Sequence, residues 1–175
     1  TFDLQDHLTD GQLDFIVSTP DDHGGMKTVP LFEENLYICT AFDDPIGKVR
    51  SNRSDTVKPQ DLAGRDLLTL GHGHKLSQLT RNLAALSDAT VSSEYEGTSL
   101  DAIRQMSAMG AGIAVLPSLY AKIEARRDPD LIIRRIDHPI ARREIHMIWR
   151  PTSPLSERFE VLAEVFKAQA DGLLK

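Results

Sequence analysis

Apolar and polar positions alternate along this chain in short blocks, and each block predicts an element. "FDLQDHLTDG" sets Leu4 and Leu8 one helical turn apart and follows them with Gly11, the residue type that closes many helices. "QLDFIVST" has the length and apolar content of a buried strand, and "PDDHGG" is a turn cluster. "KTVPLFEENLYICTAF" is β-prone and long enough for one strand, a bend and another, whereas "DDPIGKVRSNRSDTVKP" is polar and broken by Pro and Gly, which predicts a surface loop. "DLLTL" reads as a strand running into "GHGHK", and the next segment places Leu76, Leu79, Leu83 and Leu86 on one helical face. "TVSSEYE" predicts a strand, 99–109 a helix, Gly110 and Gly112 a turn, and "GIAVLP" a further strand. "SLYAKIEARRD" predicts a short helix, and "LIIRRI" and "EIHMIWR" predict strands. "SPLSERFEVLAEVFKAQADGLL" closes the chain as an amphipathic helix, with Ser153 as N-cap, Pro154 at its first position and a stripe of Leu155, Phe159, Leu162 and Phe166.

Strands that alternate with helices predict an α/β fold with mixed, mainly parallel sheets. The extended run around Glu34 to Tyr37 is the best place for a boundary between two lobes. With 175 residues there is room for one domain or two small lobes. The net charge of −6 argues against a surface that grips nucleic acid by itself. No apolar run approaches the roughly 18 residues of a membrane span, and no signal peptide is present. Cys39 is the single cysteine, which excludes an internal disulfide and points to a reducing, cytoplasmic setting. The chain opens at Thr1 as if inside a helix, so its first residues read as the interior of a longer protein.

Two strand-to-helix turns carry the candidate chemistry. In "GTSLDAIRQM", Thr98 and Ser99 stand at a helix start, where unpaired backbone N–H groups and the helix dipole favour an anion. Thr98 with Asp101 fits a capping pattern, so these hydroxyls either cap the helix or bind a ligand. In "TLGHGHK", His74 and Lys75 stand on a second such turn. In open α/β sheets ligands sit beyond the carboxyl ends of the strands, which is where both turns would lie. The bland alternative is a glycine-permitted turn with surface side chains. Zinc at His72 and His74 lacks a completing Cys or carboxylate, so no metal or other cofactor is called for. The G-x-G lacks the third glycine of a dinucleotide site. No nucleophile elbow, H-E-x-x-H, Walker loop or C-x-x-C is present, which counts against an enzyme. Arg142 and Arg143, before "EIHMIWR", either hold an anion or form a solvated charge pair.

The blocks "LTDGQLDFIV", "VPLFEENLYI", "DLAGRDLLTL", "GTSLDAIRQMSAMGAGIAVLP" and "REIHMIWRPTSPLSERFEVLAE" resemble, in order, the effector-binding half of LysR-type transcriptional regulators. Within that family the likeness is to the hydrogen-peroxide-inducible activators. The resemblance implies two lobes similar to periplasmic binding proteins, residues 1–36 with 146–175 in an incomplete first lobe and 37–145 in the second. It also implies a winged helix-turn-helix outside this sequence that carries DNA contact, self-association into dimers and tetramers, and an effector pocket. Thr1 and His74 match pocket positions of the family. The peroxide sensors of the family place a reactive cysteine after the glycine-histidine turn; here that position is Lys75, which has no thiol chemistry and suits a small anion. The expected ligand set is Thr1, His74, Lys75, Thr98, Ser99, Arg142 and Arg143. The alternative is a periplasmic-type solute-binding protein for a small anion.

Overall fold

Apolar patterning and capping chemistry resolve into eight strands and five α-helices in a computed structural model that describes residues 2–20, 24–48, 55–71, 74–97, 99–123 and 125–174. In chain order these are α1 (Phe2–Thr9), β1 (Phe15–Ser18), β2 (Lys27–Ala41), β3 (Thr56–Val57), β4 (Asp66–Leu70), α2 (Lys75–Ser87), β5 (Thr90–Gly97), α3 (Leu100–Ala108), β6 (Ile113–Pro117), α4 (Ser118–Ile123), β7 (Leu131–Ile136), β8 (Arg142–Trp149) and α5 (Ser156–Leu174). The chain divides into two compact units, residues 1–34 with 143–175 and residues 35–142.

In the first unit β1 pairs antiparallel with β8, and β8 lies beside β2. One face of β8 presents Ile145, Met147 and Trp149 to Phe159 and Ala163 of α5, with Leu31 of β2 completing the cluster. Trp149 meets Phe159 edge-on at 5.8 Å, and its indole N–H donates to Ser156 Oγ at 2.9 Å. That bond sits at the helix start, so α5 begins at Ser156 rather than behind Ser153. Ser153 instead closes the preceding turn, its Oγ accepting from Leu155 N–H at 3.3 Å. The stripe expected on α5 does pack inward, with Phe159 buried and Leu155, Leu162 and Phe166 half-buried. The other face of β8 sends Ile148 against Leu8 of α1 and Ile16. Arg150 donates to the carbonyls of Leu8 and Leu13, supplying a cation where the dipole of α1 is negative.

In the second unit the strand order is β3-β7-β2-β6-β4-β5. The sheet is mixed. β4 is parallel to β5 and β6, and β3 to β7, while β2 runs antiparallel to both β6 and β7. β2 runs through fifteen residues as one strand rather than the two expected; it is half-exposed up to Glu33 and buried from Leu36 onward. Ile46, in the segment read as a surface loop, is buried, as is Val57 after it. On α2, Leu76 and Leu83 face the core but Leu86 is 49% exposed. The buried arc runs instead through Ser77, Thr80, Ala84 and Ser87. α3 closes on the glycine turn: Gly110 N–H donates to Ser107 O and Ala111 N–H to Met106 O, with Gly110 left-handed at φ +80. At Gly112 a Cβ would stand 2.8 Å from Asp66 O, so β6 can approach β4 only without a side chain there.

Asp44 holds the turn after β2. Burial alone would raise its carboxyl, but hydrogen bonds from Arg65, Ile46 N–H and Thr40 outweigh it and hold the group below its ordinary 3.8. Stability from Asp44 is therefore present above that ordinary value and is lost as pH falls through the lower folded value. Arg65→Met should cost roughly 1–3 kcal/mol in urea unfolding at pH 7 by removing the charged donor of Asp44, which keeps only the neutral donors Thr40 and Ile46 N–H. The difference should shrink as pH falls below the ordinary carboxylate value of 3.8 and disappear only once it has passed the lower folded value, where Asp44 is protonated with or without Arg65. An undiminished difference at low pH would assign the loss to packing instead.

Candidate functional site

The parallel ladder of β4 and β5 ends with Leu70 opposite Gly97. One residue on, Gly71 N–H donates to Gly97 O at 3.2 Å. The ends of these two strands are therefore hydrogen-bonded to each other, and a helix follows each within five residues. His74 is the N-cap residue of α2, extended at φ −91 and ψ 134, and its carbonyl accepts from Ser77 N–H at 3.0 Å. Its imidazole makes no capping bond, so it is not spent on the helix. Lys75 follows as the first helical residue, half-buried.

Ser99 is the N-cap of α3. Its Oγ accepts from Ala102 N–H at 3.2 Å, which leaves its own proton to donate elsewhere. With Ser99 as cap, Ala102 rather than Asp101 occupies the third helical position, and Thr98, which the sequence pairs with Asp101, lies outside the described residues. α3 starts hard against the end of β5: a Cβ at Gly97 would lie 2.2 Å from Ile103 Cγ2. Thr1 also lies outside them.

An anion at the start of α3 would meet the carboxylate of Asp101 in its first turn. That charge is drawn aside. Tyr120 Oη donates to Asp101, and Arg104 Nε lies 3.7 Å from it. Arg104 also donates through Nη1 to Asp128 at 2.7 Å and through Nε to Tyr120 Oη at 3.3 Å. Burial, then the bond to Asp101, pushes the Tyr120 phenol up to about 12. Arg104, Tyr120 and Asp128 were not among the expected site residues. They are far apart in sequence, and nothing in their spacing marks them.

The two arginines part company. Arg142 ends the second unit and is exposed. Arg143 begins the first unit's second segment and is committed to Glu34: Nε and Nη2 both donate to Glu34 Oε1, at 2.8 and 2.6 Å. Glu34 is 2% exposed, so this guanidinium neutralises a buried carboxylate of its own unit. The sequence placed an arginine at the crossing but gave no sign of its partner 109 residues away. Among the described residues no group of three His, Cys, Asp or Glu is arranged to hold a metal, and no helix is long and apolar enough to cross a membrane.

A model of the LysR substrate binding domain matches residues 1–171. The DNA-binding transcriptional dual regulator OxyR of Escherichia coli K12 is 35% identical over 173 residues, covering 98% of this chain and 55% of that protein. The hydrogen peroxide-inducible genes activator of Pectobacterium carotovorum is 32% identical over 176 residues, covering all of this chain and 56% of that protein. The chain thus spans about half the length of the curated relatives it matches. Crystal structures of the reduced and oxidised forms of OxyR superpose with TM-scores of 0.82, at 32% and 33% identity, each covering all of this chain and 80% of the solved one.

Cys39, the lone thiol, lies in β2 with no exposed surface. Burial pushes it up to about 12, opposed only in part by the charge of Arg104 and a bond with Ser107. Almost no thiolate exists at neutral pH, and the thiolate is the nucleophile that peroxide oxidises. Hydrogen peroxide should therefore leave Cys39 unmodified in the folded protein. Intact mass should show methionine oxidation at most, and a dimedone adduct at Cys39 without unfolding would contradict this.

Proposed function

This chain belongs to the LysR substrate binding domain family, and we propose from that premise that it senses a small anionic effector on behalf of a LysR-type transcriptional regulator. The observation that carries the reading is the joining of the two strand ends by Gly71 N–H to Gly97 O, with His74 and Lys75 at the start of the helix that follows one strand and Ser99 at the start of the helix that follows the other. Free amides at a helix start favour an anion by roughly 0.3–1 kcal/mol when exposed. A lysine contact and a hydroxyl donor add direction to that preference. Thr98, and from the first unit Thr1, are further ligand candidates on the family resemblance, as is Arg142. Arg143 serves the effector only indirectly, through Glu34.

The relatives' names speak of hydrogen peroxide. For this chain a thiol switch is not the route, because Lys75 stands at the turn and Cys39 is buried and protonated. Reversible occupancy replaces it. The effector shifts a balance between conformations and between modes of self-association, and it can do so only by its difference in affinity for them. DNA contact and promoter choice belong to the longer protein.

Calorimetry against small carboxylates, phosphate and sulfate, on wild type, Lys75→Ala and Ser99→Ala, tests the site. At least one anion should bind, and Lys75→Ala should weaken it about tenfold, roughly 1.4 kcal/mol. Equal affinity in all three proteins would place the site elsewhere. Ser99 would then be a cap alone, its loss costing about 1 kcal/mol of stability and no affinity.

A further inference from the structure

Three hydroxyls on α2 are buried against the sheet, and two of them serve their own helix. Thr80 Oγ1 donates to Leu76 O at 2.8 Å, and Ser87 Oγ donates to Leu83 O at 2.8 Å. Both are bonds to the carbonyl four residues back, which need nothing outside the helix. Ser77 is different. It has no exposed surface, and its proton is shared between Leu70 O and Gly71 O, the latter at 2.9 Å. These carbonyls lie at the end of β4 and at the first residue of the turn. Gly71 is thus held from two sides, its carbonyl by Ser77 and its N–H by Gly97 O. The backbone N–H of Ser77 donates in turn to His74 O. One residue grips the turn at both ends.

The helix geometry carries this grip to the candidate ligands. Successive residues are about 100° apart around the axis, so Lys75 stands about 200° from Ser77. With Ser77 drawn onto the strand end, Lys75 is carried away from the centre of the buried arc to its half-exposed flank, beside the turn that bears His74. A methyl group in place of this hydroxyl would fill the same space, but it would free the carbonyls of Leu70 and Gly71 and the phase of the first helical turn.

We propose that Ser77 is the positioning residue of the effector site: it touches no ligand, and it fixes the turn from which His74 and Lys75 reach one. This role rests on the anion-site reading above.

Sulfate, titrated into the domain and followed through backbone amide shifts, tests it in wild type, Ser77→Ala, Ser77→Thr, Lys75→Ala and the Lys75→Ala/Ser77→Ala pair. The temperature is kept well below every unfolding midpoint. Ser77→Ala should weaken sulfate about tenfold and speed amide exchange at Gly71, while the amides of 80–87 stay protected. Ser77→Thr, which keeps the hydroxyl, should recover most of the affinity. Because Ser77 acts through Lys75, adding Ser77→Ala to Lys75→Ala should weaken binding far less than it does alone. Wild-type affinity retained in Ser77→Ala, with Lys75→Ala still defective, would overturn the positioning role and leave the anion site standing. No shift in wild type up to high sulfate would overturn the anion site, and the positioning role with it.

Discussion

A carboxylate with 2% of its surface exposed needs an opposite charge and directed donors, and Glu34 has both in Arg143. The pair joins the last residue of the first unit's opening segment to the first residue of its closing segment. β2 continues past Glu34 into the second unit as a central strand, with β6 on one side and β7 on the other. Two N–H groups of the guanidinium converge on one oxygen of Glu34, a charge-assisted contact within the first unit. Breaking such a pair by removing one partner costs about 3–5 kcal/mol, whereas replacing both with apolar groups of similar size is often neutral. Its value is therefore geometric before it is energetic. The charge of Arg143 is thereby matched within its own unit.

The second unit builds outward from that strand. β6 and β4 follow by close packing, and Gly112 allows the approach. β4 and β5 then end in register, so two helix starts open at one edge of the sheet. Nothing in this placement requires a ligand; it follows from parallel strands each followed by a helix. What makes the edge chemically useful is the set of side chains left there. His74 has an imidazole that does not cap, Lys75 brings a cation, and Ser99 keeps a proton to donate while it caps. Asp101, an acid in the first turn of α3, is occupied by Tyr120 and Arg104.

Much of this could be read in the sequence, for reasons that differ by element. α3 was legible because its start and stop are local signals: a hydroxyl before the first turn and a glycine two residues past the last. β4, β6 and β7 were legible as short apolar runs. The inner face of α2 was not, because half of it is Ser77, Thr80 and Ser87. Hydroxyls read as polar, yet they bury well once their protons reach carbonyls. Of the expected stripe, Leu76, Leu79 and Leu83 do meet the core and Leu86 alone falls outside it. Ile46 was missed for the opposite reason, as one apolar side chain inside a polar segment. β2 read as two strands, although it is one continuous element whose burial changes midway. The Thr98–Asp101 pair fitted a motif, but the helix began one residue later. Glu34 with Arg143, and Arg104 with Asp128, depend on residues that only the tertiary fold brings together. Their charge was visible in the sequence; their pairing was not.

The chemistry at the turn also bears on how a signal can be read. A thiol switch stores its state in a covalent bond until a reductant arrives, so the response outlasts the stimulus. A site of lysine, imidazole and hydroxyl holds no such memory, and its occupancy follows the free concentration of ligand at each moment. For such a site to move a two-state equilibrium from 1:99 to 99:1, the ligand must prefer one state by about 10⁴-fold, or about 5.5 kcal/mol. An exposed helix start and one lysine contact supply only part of that. The remainder has to come from contacts that exist in one state and not in the other. A held turn would help meet that demand, because less of the binding energy would then be lost to ordering Lys75 and His74. On the positioning role proposed above, the fully buried Ser77 hydroxyl, which donates to Leu70 O and Gly71 O rather than to its own helix, would supply that hold.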